Sequence, residues 1–257
     1  MTISPIRNWL RKLRAKIAPQ RLDLDQWAEK HRSVVDVTLD QVIDRIPGEG
    51  LILDVGANVG LFTQQLRARR PRCEYLLFEP VQRYFSICQG RYEGVQGVQV
   101  LNIALSSKNE QRPIFKAAHN PGGNSVLPEI MFDRRENSEV TERTVVEEER
   151  IDCRRFDDVA KERGIESVAF VKIDTEGFDY AVLQGLFEFL QQTGQRPPIL
   201  TELMREDYHP FWQEQREIIG RYVGLGYGAI DFDALPKIGD VLLLPGSIGP
   251  SLILDQD

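Results

Sequence analysis

Short, continuous apolar runs alternate along this chain with longer segments in which apolar residues return every three or four positions. The run at 51–55 is too short and too uniformly apolar for a surface helix, and those at 75–78, 98–104 and 168–173 follow it as short, mostly apolar segments. They read as strands of a parallel sheet buried on both faces. Residues 198–202 repeat the pattern. Between the runs, Val59, Phe62 and Leu66 share one helical face, as do Tyr84, Ile87, Cys88 and Tyr92. A longer stripe joins Phe178, Ala181, Val182, Gly185, Leu186, Phe189 and Leu190. Phe211, Trp212, Ile218, Ile219, Tyr222 and Val223 predict a last helix, stopped at 224–228, and 229–232 and 241–244 predict two closing strands in an antiparallel hairpin. Strands alternating with helices specify an α/β fold.

Two further helical patterns precede the first strand. One runs over 24–46 through Trp27, Val34, Val35, Val42 and Ile46 and is closed by Pro47-Gly48. The other covers 4–18: Ile6, Trp9, Leu10, Leu13 and Ile17 form its apolar face, with Arg7, Arg11, Lys12, Arg14 and Lys16 around them. The chain thus divides into a helical arm over 1–48 and an α/β domain over 49–257. Residues 129–150 hold eight acids against four arginines and few apolar residues, so a solvated insertion or mobile lid is expected there. A short helix follows, with Asp157 as its N-cap and Gly164 as its stop.

The first strand ends in chemistry. Asp54, Gly56, Ala57, Asn58 and Gly60 lie beyond its carboxyl end, where α/β folds bind their ligands. A dinucleotide site wants G-x-G-x-x-G, because a pyrophosphate must rest on bare backbone at a helix N-terminus. Here Gly56 and Gly60 are four apart, and Asp54 would set negative charge against negative. S-adenosylmethionine, with an ammonium and a sulfonium, meets no such conflict. Glu79 ends the second strand, placed to accept both hydroxyl hydrogens of a ribose. Asp174 and Glu176 leave the 168–173 strand, and Glu202 the next, on the same rim. Acids at four successive strand tips are hard to explain as solvated surface.

Five pieces fall in order: Asp54-Val-Gly-Ala-Asn-Val-Gly60, Phe78-Glu79-Pro80, Ile103-Ala104-Leu105-Ser106, Gly122-Gly123-Asn124-Ser125 and Val171-Lys-Ile-Asp-Thr-Glu-Gly177. As a set they resemble the FkbM-type methyltransferases. The resemblance implies a Rossmann-like class I methyltransferase fold, with a mostly parallel seven-stranded sheet, helices on both faces and a C-terminal antiparallel hairpin. It also implies S-adenosylmethionine-dependent O-methylation of a sugar, glycan, glycolipid or secondary-metabolite hydroxyl. By the same resemblance Ala104 lines the adenine, and His119, Asn124 and Ser125 belong to a substrate-side loop.

A sulfonium methyl is already electrophilic, so the protein must mainly align an acceptor oxygen and help remove its proton. Asp174, Glu176, Glu202 and His209 are the available groups, with Asp174 the leading base and Glu202 the second. The acids could instead hold a divalent metal through oxygen ligands, although no spacing specifies one. Nitrogen or protein side-chain methylation on the same fold is the alternative function. A non-enzymatic, membrane- or partner-binding module is a further one, against which the intact acids and glycines argue. A nicotinamide oxidoreductase is disfavoured by the Gly56 to Gly60 spacing.

The 257 residues carry a net charge of −7, which argues against a general nucleic-acid binder. Three cysteines without a C-x-x-C pair fit a reducing cytosol. No apolar run reaches the roughly 20 residues of a bilayer span, and the basic start lacks a signal-peptide core. A cytoplasmic protein is expected. Its 4–18 helix could dock on the parent domain, on a sister subunit of a homo-oligomer, or peripherally on an anionic inner-membrane face.

Overall fold

The computed structural model describes residues 24–117, 120, 122–131 and 145–254. The helix expected over 4–18 and the side chain of His119 lie outside them.

A long helix, α1 (Leu24–Val42), passes through a 3-10 turn into β1 (Glu49–Val55). There follow α2 (Leu61–Arg69), β2 (Arg72–Phe78), α3 (Gln82–Tyr92) and β3 (Val98–Leu101). The middle of the chain supplies β4 (Ala104–Leu105), β5 (Glu110–Ala117), the single turn α4 (Pro128–Met131) and β6 (Val145–Arg154). The last part is α5 (Phe156–Arg163), β7 (Phe170–Ile173), α6 (Asp179–Thr193), β8 (Ile199–Met204), α7 (Trp212–Gly224), β9 (Ile238–Leu243) and β10 (Leu252–Ile253).

Seven strands form one sheet in the order β10-β9-β8-β7-β1-β2-β3. Its inner pairs are parallel, while β9 runs antiparallel to both β8 and β10. This is the Rossmann-like, mostly parallel sheet with an antiparallel end that the family resemblance implied. Both faces are covered. Along β2, Cys73, Tyr75 and Leu77 join the core layer of Leu39 and Val42 from α1 and Leu66 from α2. The alternate residues Leu76 and Phe78 join the layer of Phe156, Leu186 and Ile218 from α5, α6 and α7. Period-two alternation with both faces apolar is why these runs read as continuous. Cys73, Cys88 and Cys153 are buried free thiols. Among the described residues no helix is long and apolar enough to cross a membrane.

Several expectations need correction. The run over 98–104 is two strands: β3 closes the main sheet, and β4 leaves it for a separate three-stranded sheet, β4-β6-β5. Part of the 129–150 stretch belongs to that second sheet, because β6 pairs with β5 from Glu110↔Cys153 to Ala117↔Val145. Glu147, Glu148 and Glu149 thus lie in a strand rather than a loop, with Glu149 and Glu147 pairing Lys116 at 2.9 and 3.1 Å, while residues 132–144 fall outside the described residues. Residues 229–232 form no strand, and the terminal hairpin is instead β9 with β10. Asp157 lies in the first turn of α5, whose N-cap is Arg155, and Gly164 caps the other end with φ 66°.

Candidate functional site

The sheet reverses its direction of growth at β1, which has β2 on one side and β7 on the other. Open α/β sheets bind ligands beyond the strand ends at such a point. The loops after β1, β2 and β7 meet there. Gly56 has φ 78°, and a Cβ built on it would lie 2.0 Å from the carbonyl oxygen of Asp174, so two loops touch through bare backbone.

Every amide from Gly56 to Gly60 is committed inside the protein. Gly56 and Ala57 both donate to the Phe78 carbonyl at 3.0 Å, and Gly60 donates to Ala57 at 2.7 Å. Asn58 donates its amide to Oε2 of Glu79 at 2.7 Å, and Val59 donates to Oδ1 of Asn58 at 2.8 Å. No cradle of free N–H groups is left for a phosphate, which is what a pyrophosphate site requires. Asn58 adopts φ 51°, a left-handed backbone that asparagine tolerates.

Two cavities open at this junction. The first encloses about 560 Å³ between Val55, Gly56, Phe78 to Val81, Ala104 and Leu105, with Ile114 and Ile151 of the second sheet opposite. Glu79 lines it and is almost fully buried. Burial pushes its carboxyl up to about 7, against the lowering effect of amide hydrogen bonds from Val81 and Asn58. Each of its oxygens receives one of those amides. A carboxylate oxygen has a second lone pair for another donor.

The second cavity encloses about 1110 Å³ under α1, with His31, Val34, Val35 and Thr38 forming its wall. Four acids line it: Asp174, Glu176, Glu202 and Asp240, against the single buried cation Lys172. Glu202 and Asp240 are register partners across β8 and β9. Burial, with Glu176, Asp174, Asp179 and Asp240 nearby, pushes the Glu202 carboxyl well above the usual carboxylate range. Burial likewise raises Asp240 to about 6, helped by the charge of Asp174. Oε2 of Glu202 and Oδ1 of Asp54 are buried without a hydrogen-bond partner among the described residues. Gly56, Asn58, Gly122, Asp174 and Glu176 line both cavities and so form the passage between them.

The other sequence-based candidates lie away from the two cavities or line them as follows. Asp54 does not line either cavity: it is fully buried in the sheet layer, accepting from Thr63 Oγ1 at 2.6 Å and facing Lys172 Nζ at 3.5 Å. Gly60 also lies off both cavities. Its constraint is α3, since a Cβ there would lie 2.8 Å from Tyr92 and 2.9 Å from Cys88. Ser125 is fully buried and donates to the carbonyl of Glu176 at 2.7 Å rather than facing either cavity. His209 has both ring nitrogens engaged: Nε2 lies 2.8 Å from the Gly177 carbonyl, and Nδ1 accepts from the Phe211 amide at 3.0 Å. That pattern fixes a neutral ring donating from Nε2, and burial lowers its pKa. Ala57, Ala104 and Asn124 do line cavities. Among the described residues no group of three or more His, Cys, Asp or Glu is arranged to hold a metal.

Lys172, Asp179 and Asp240 carry no sequence signal as site residues. Along the chain Lys172 stands inside an apolar run, a candidate partner for an acid. In the structure its Nζ lies 3.3 Å from Asp174 Oδ2 and 3.5 Å from Asp54 Oδ1, and donates to the Gly56 carbonyl at 3.2 Å. Burial acts to lower its pKa, but the Asp174 and Asp54 charges outweigh it and leave the ammonium raised.

The chain is similar to several known proteins. The family model described as "Methyltransferase FkbM domain" matches residues 54–225. Methyltransferase sdnD of Sordaria araneosa is 26% identical over 165 residues, spanning 57% of this chain and 64% of that protein. The 2-O-methyltransferase NoeI of Sinorhizobium fredii is 25% identical over 146 residues, spanning 56% and 60%. The chain therefore spans less than two thirds of the length of these relatives. A solved structure of Aeropyrum pernix fibrillarin with natively bound S-adenosyl-L-methionine aligns over 83% of this chain and 76% of that one, with 10% identity and a TM-score of 0.47.

Proposed function

Since this chain belongs to the FkbM methyltransferase family, whose cofactor is S-adenosylmethionine, we propose that it methylates a hydroxyl of a sugar, glycan, glycolipid or secondary metabolite. One observation carries the reading: two cavities of different chemistry meet at Gly56, Asn58, Asp174 and Glu176. The first is narrow and mostly apolar, with the Glu79 carboxylate at its side, which suits an adenosine. The second is larger and acid-lined, which suits a polar acceptor.

S-adenosylmethionine supplies an electrophilic methyl group. The residues present fit it, because a loop with no free amide nest beside several carboxylates favours a cationic ligand over a pyrophosphate. Glu79 would hold the ribose hydroxyls, and Ala104, Leu105 and Val81 would pack the adenine. Asp174 stands at the passage, half exposed and paired with Lys172 at 3.3 Å. There it orients the acceptor oxygen and removes its proton. Glu202, whose carboxyl burial pushes toward the neutral form, lines the second cavity as a hydrogen-bonding partner for the acceptor.

Asp174 and Glu176 at the passage, against the one ammonium of Lys172, also set the acceptor class. A phosphorylated, sulfated or carboxylated acceptor would meet like charge in a partly desolvated cavity, whereas a neutral polyol would not. The same charges attract an amine, so methylation of nitrogen is the second reading.

Titration calorimetry of the protein with S-adenosylmethionine, with NAD as control and Glu79→Ala as variant, tests the cofactor. Binding in the micromolar range that is absent for NAD and lost in Glu79→Ala is expected. Equal binding of NAD would overturn it. Transfer of labelled methyl to matched neutral, amine-bearing and phosphorylated saccharides then tests the acceptor, and preferential labelling of the phosphorylated set would sink the charge argument.

A further inference from the structure

Three buried polar side chains surround the loop that joins the two cavities, and none of them lines either cavity. Asp179, at the start of α6, accepts from the amide of Thr175 at 3.1 Å and from its hydroxyl at 2.6 Å through one carboxylate oxygen. Its other oxygen accepts from Thr201 Oγ1 and from the amide of Glu202, both at 3.1 Å. Ser125, from the segment after β5, donates to the carbonyl of Glu176 at 2.7 Å and accepts from the Leu127 amide at 3.1 Å. His209, from the segment after β8, donates to the carbonyl of Gly177 at 2.8 Å. Their exposures are 1%, 0% and 3%.

The gripped residues need such support. Glu176 has φ 53°, a left-handed backbone that is disfavoured for a residue with a Cβ. Glycine does not occupy the position, so the conformation must be imposed from outside. Each of the three side chains holds a different backbone group of the same segment: Thr175 N–H, Glu176 C=O and Gly177 C=O. Asp179 also ties that segment to β8 beside Glu202, so the acids from two strand ends are fixed relative to each other.

We infer that Ser125, Asp179 and His209 are positioning residues that clamp the Thr175–Gly177 backbone, and thereby hold the wall that Thr175 and Glu176 give to the first cavity as well as the Asp174 and Glu176 carboxylates at the passage. The role rests on the cofactor reading above. It accounts for why Ser125 and His209 fall within the expected site without reaching either cavity.

The test uses S-adenosylhomocysteine as probe, with affinity by calorimetry and the thermal midpoint measured on the same samples. Ser125→Ala removes a single oxygen and keeps the fold testable if Asp179→Asn proves too unstable. Tyr222→Phe is the control, since it deletes an equally buried hydroxyl that donates to Leu183 at 2.9 Å, remote from both cavities. Ser125→Ala and Asp179→Asn should each weaken binding about tenfold, and the double variant should lose less than the product of the two, because both act on one loop. Tyr222→Phe should lower the midpoint and leave affinity unchanged. If Ser125→Ala binds within twofold of the wild type while its midpoint falls as in Tyr222→Phe, the clamp is only structural and the inference is overturned. A wild type that fails to bind the probe overturns the cofactor reading, and this role with it.

Discussion

Lys172 and Asp54 are register partners on the adjacent parallel strands β7 and β1, and both are buried in the sheet layer under α1 and α2. The ammonium stands 3.5 Å from the Asp54 carboxylate and reaches on to Asp174 at the strand end. A buried charge thus links the interior of the sheet to the rim where the cavities meet.

Lys172→Met should therefore destabilise the protein more than an ordinary surface change, because Asp54 would be left as a buried charge without a counter-ion. A loss of about 3 kcal/mol is expected from breaking such a pair. Denaturant unfolding at neutral pH measures it. A loss under about 0.5 kcal/mol, the scale of a surface substitution, would contradict the pairing.

Glu79 should make stability fall as pH rises through the acid range. Its folded pKa of about 7 lies above the ordinary 4.5, so the neutral form is favoured in the fold. Its contribution is fully present below about 4.5 and is lost progressively as pH approaches 7. The difference is on the order of 3 kcal/mol. Between those limits the wild type should lose stability relative to Glu79→Gln, whose amide does not titrate. Unfolding curves that run parallel for the two proteins would place the titration elsewhere.

Two glycine substitutions should move stability in opposite directions. Gly56→Ala sets a Cβ 2.0 Å from the Asp174 carbonyl at φ 78°, and should cost about 3 kcal/mol or more. Gly220→Ala, inside α7 with nothing within 4 Å of the new atom, should stabilise by about 0.5–1 kcal/mol. Chemical denaturation of both variants compares them directly.

Asp174→Asn should keep S-adenosylmethionine affinity within a fewfold of wild type and lower methyl transfer at least about 100-fold, as for loss of a general base. Calorimetry and labelled-methyl transfer on one preparation separate the two. Unchanged transfer would remove Asp174 from the chemistry.

Local periodicity and covalent order make the central strands and their loops legible in the chain. Short, mostly apolar runs ending in Asp54, Glu79 and Asp174 mark parallel strands, and the Gly56 to Gly60 turn argues against a pyrophosphate. The second sheet is not legible in the same way, because β5 and β6 pair across residues 118–144 and their polar, charged faces look like a solvated loop. A strand half open to solvent lacks the continuous apolar run that marks a central one.

The sequence by itself determined the α/β class, the order of the strands that carry acids, and the loops that would gather beyond their ends. Only the tertiary structure decided which of those acids reach a cavity. Asp54 and Glu79 look alike along the chain, each an acid at or just beyond the end of an apolar strand. Strand register turns Asp54 into the sheet toward Lys172 and Thr63, while Glu79, one residue past β2, enters the first cavity. The same holds for Ser125, His209 and Asp179, whose partners lie in segments far from them in sequence or in backbone groups without a residue-specific signature. Side-chain chemistry is written residue by residue, but what each group faces is set by pairing and packing across the whole chain.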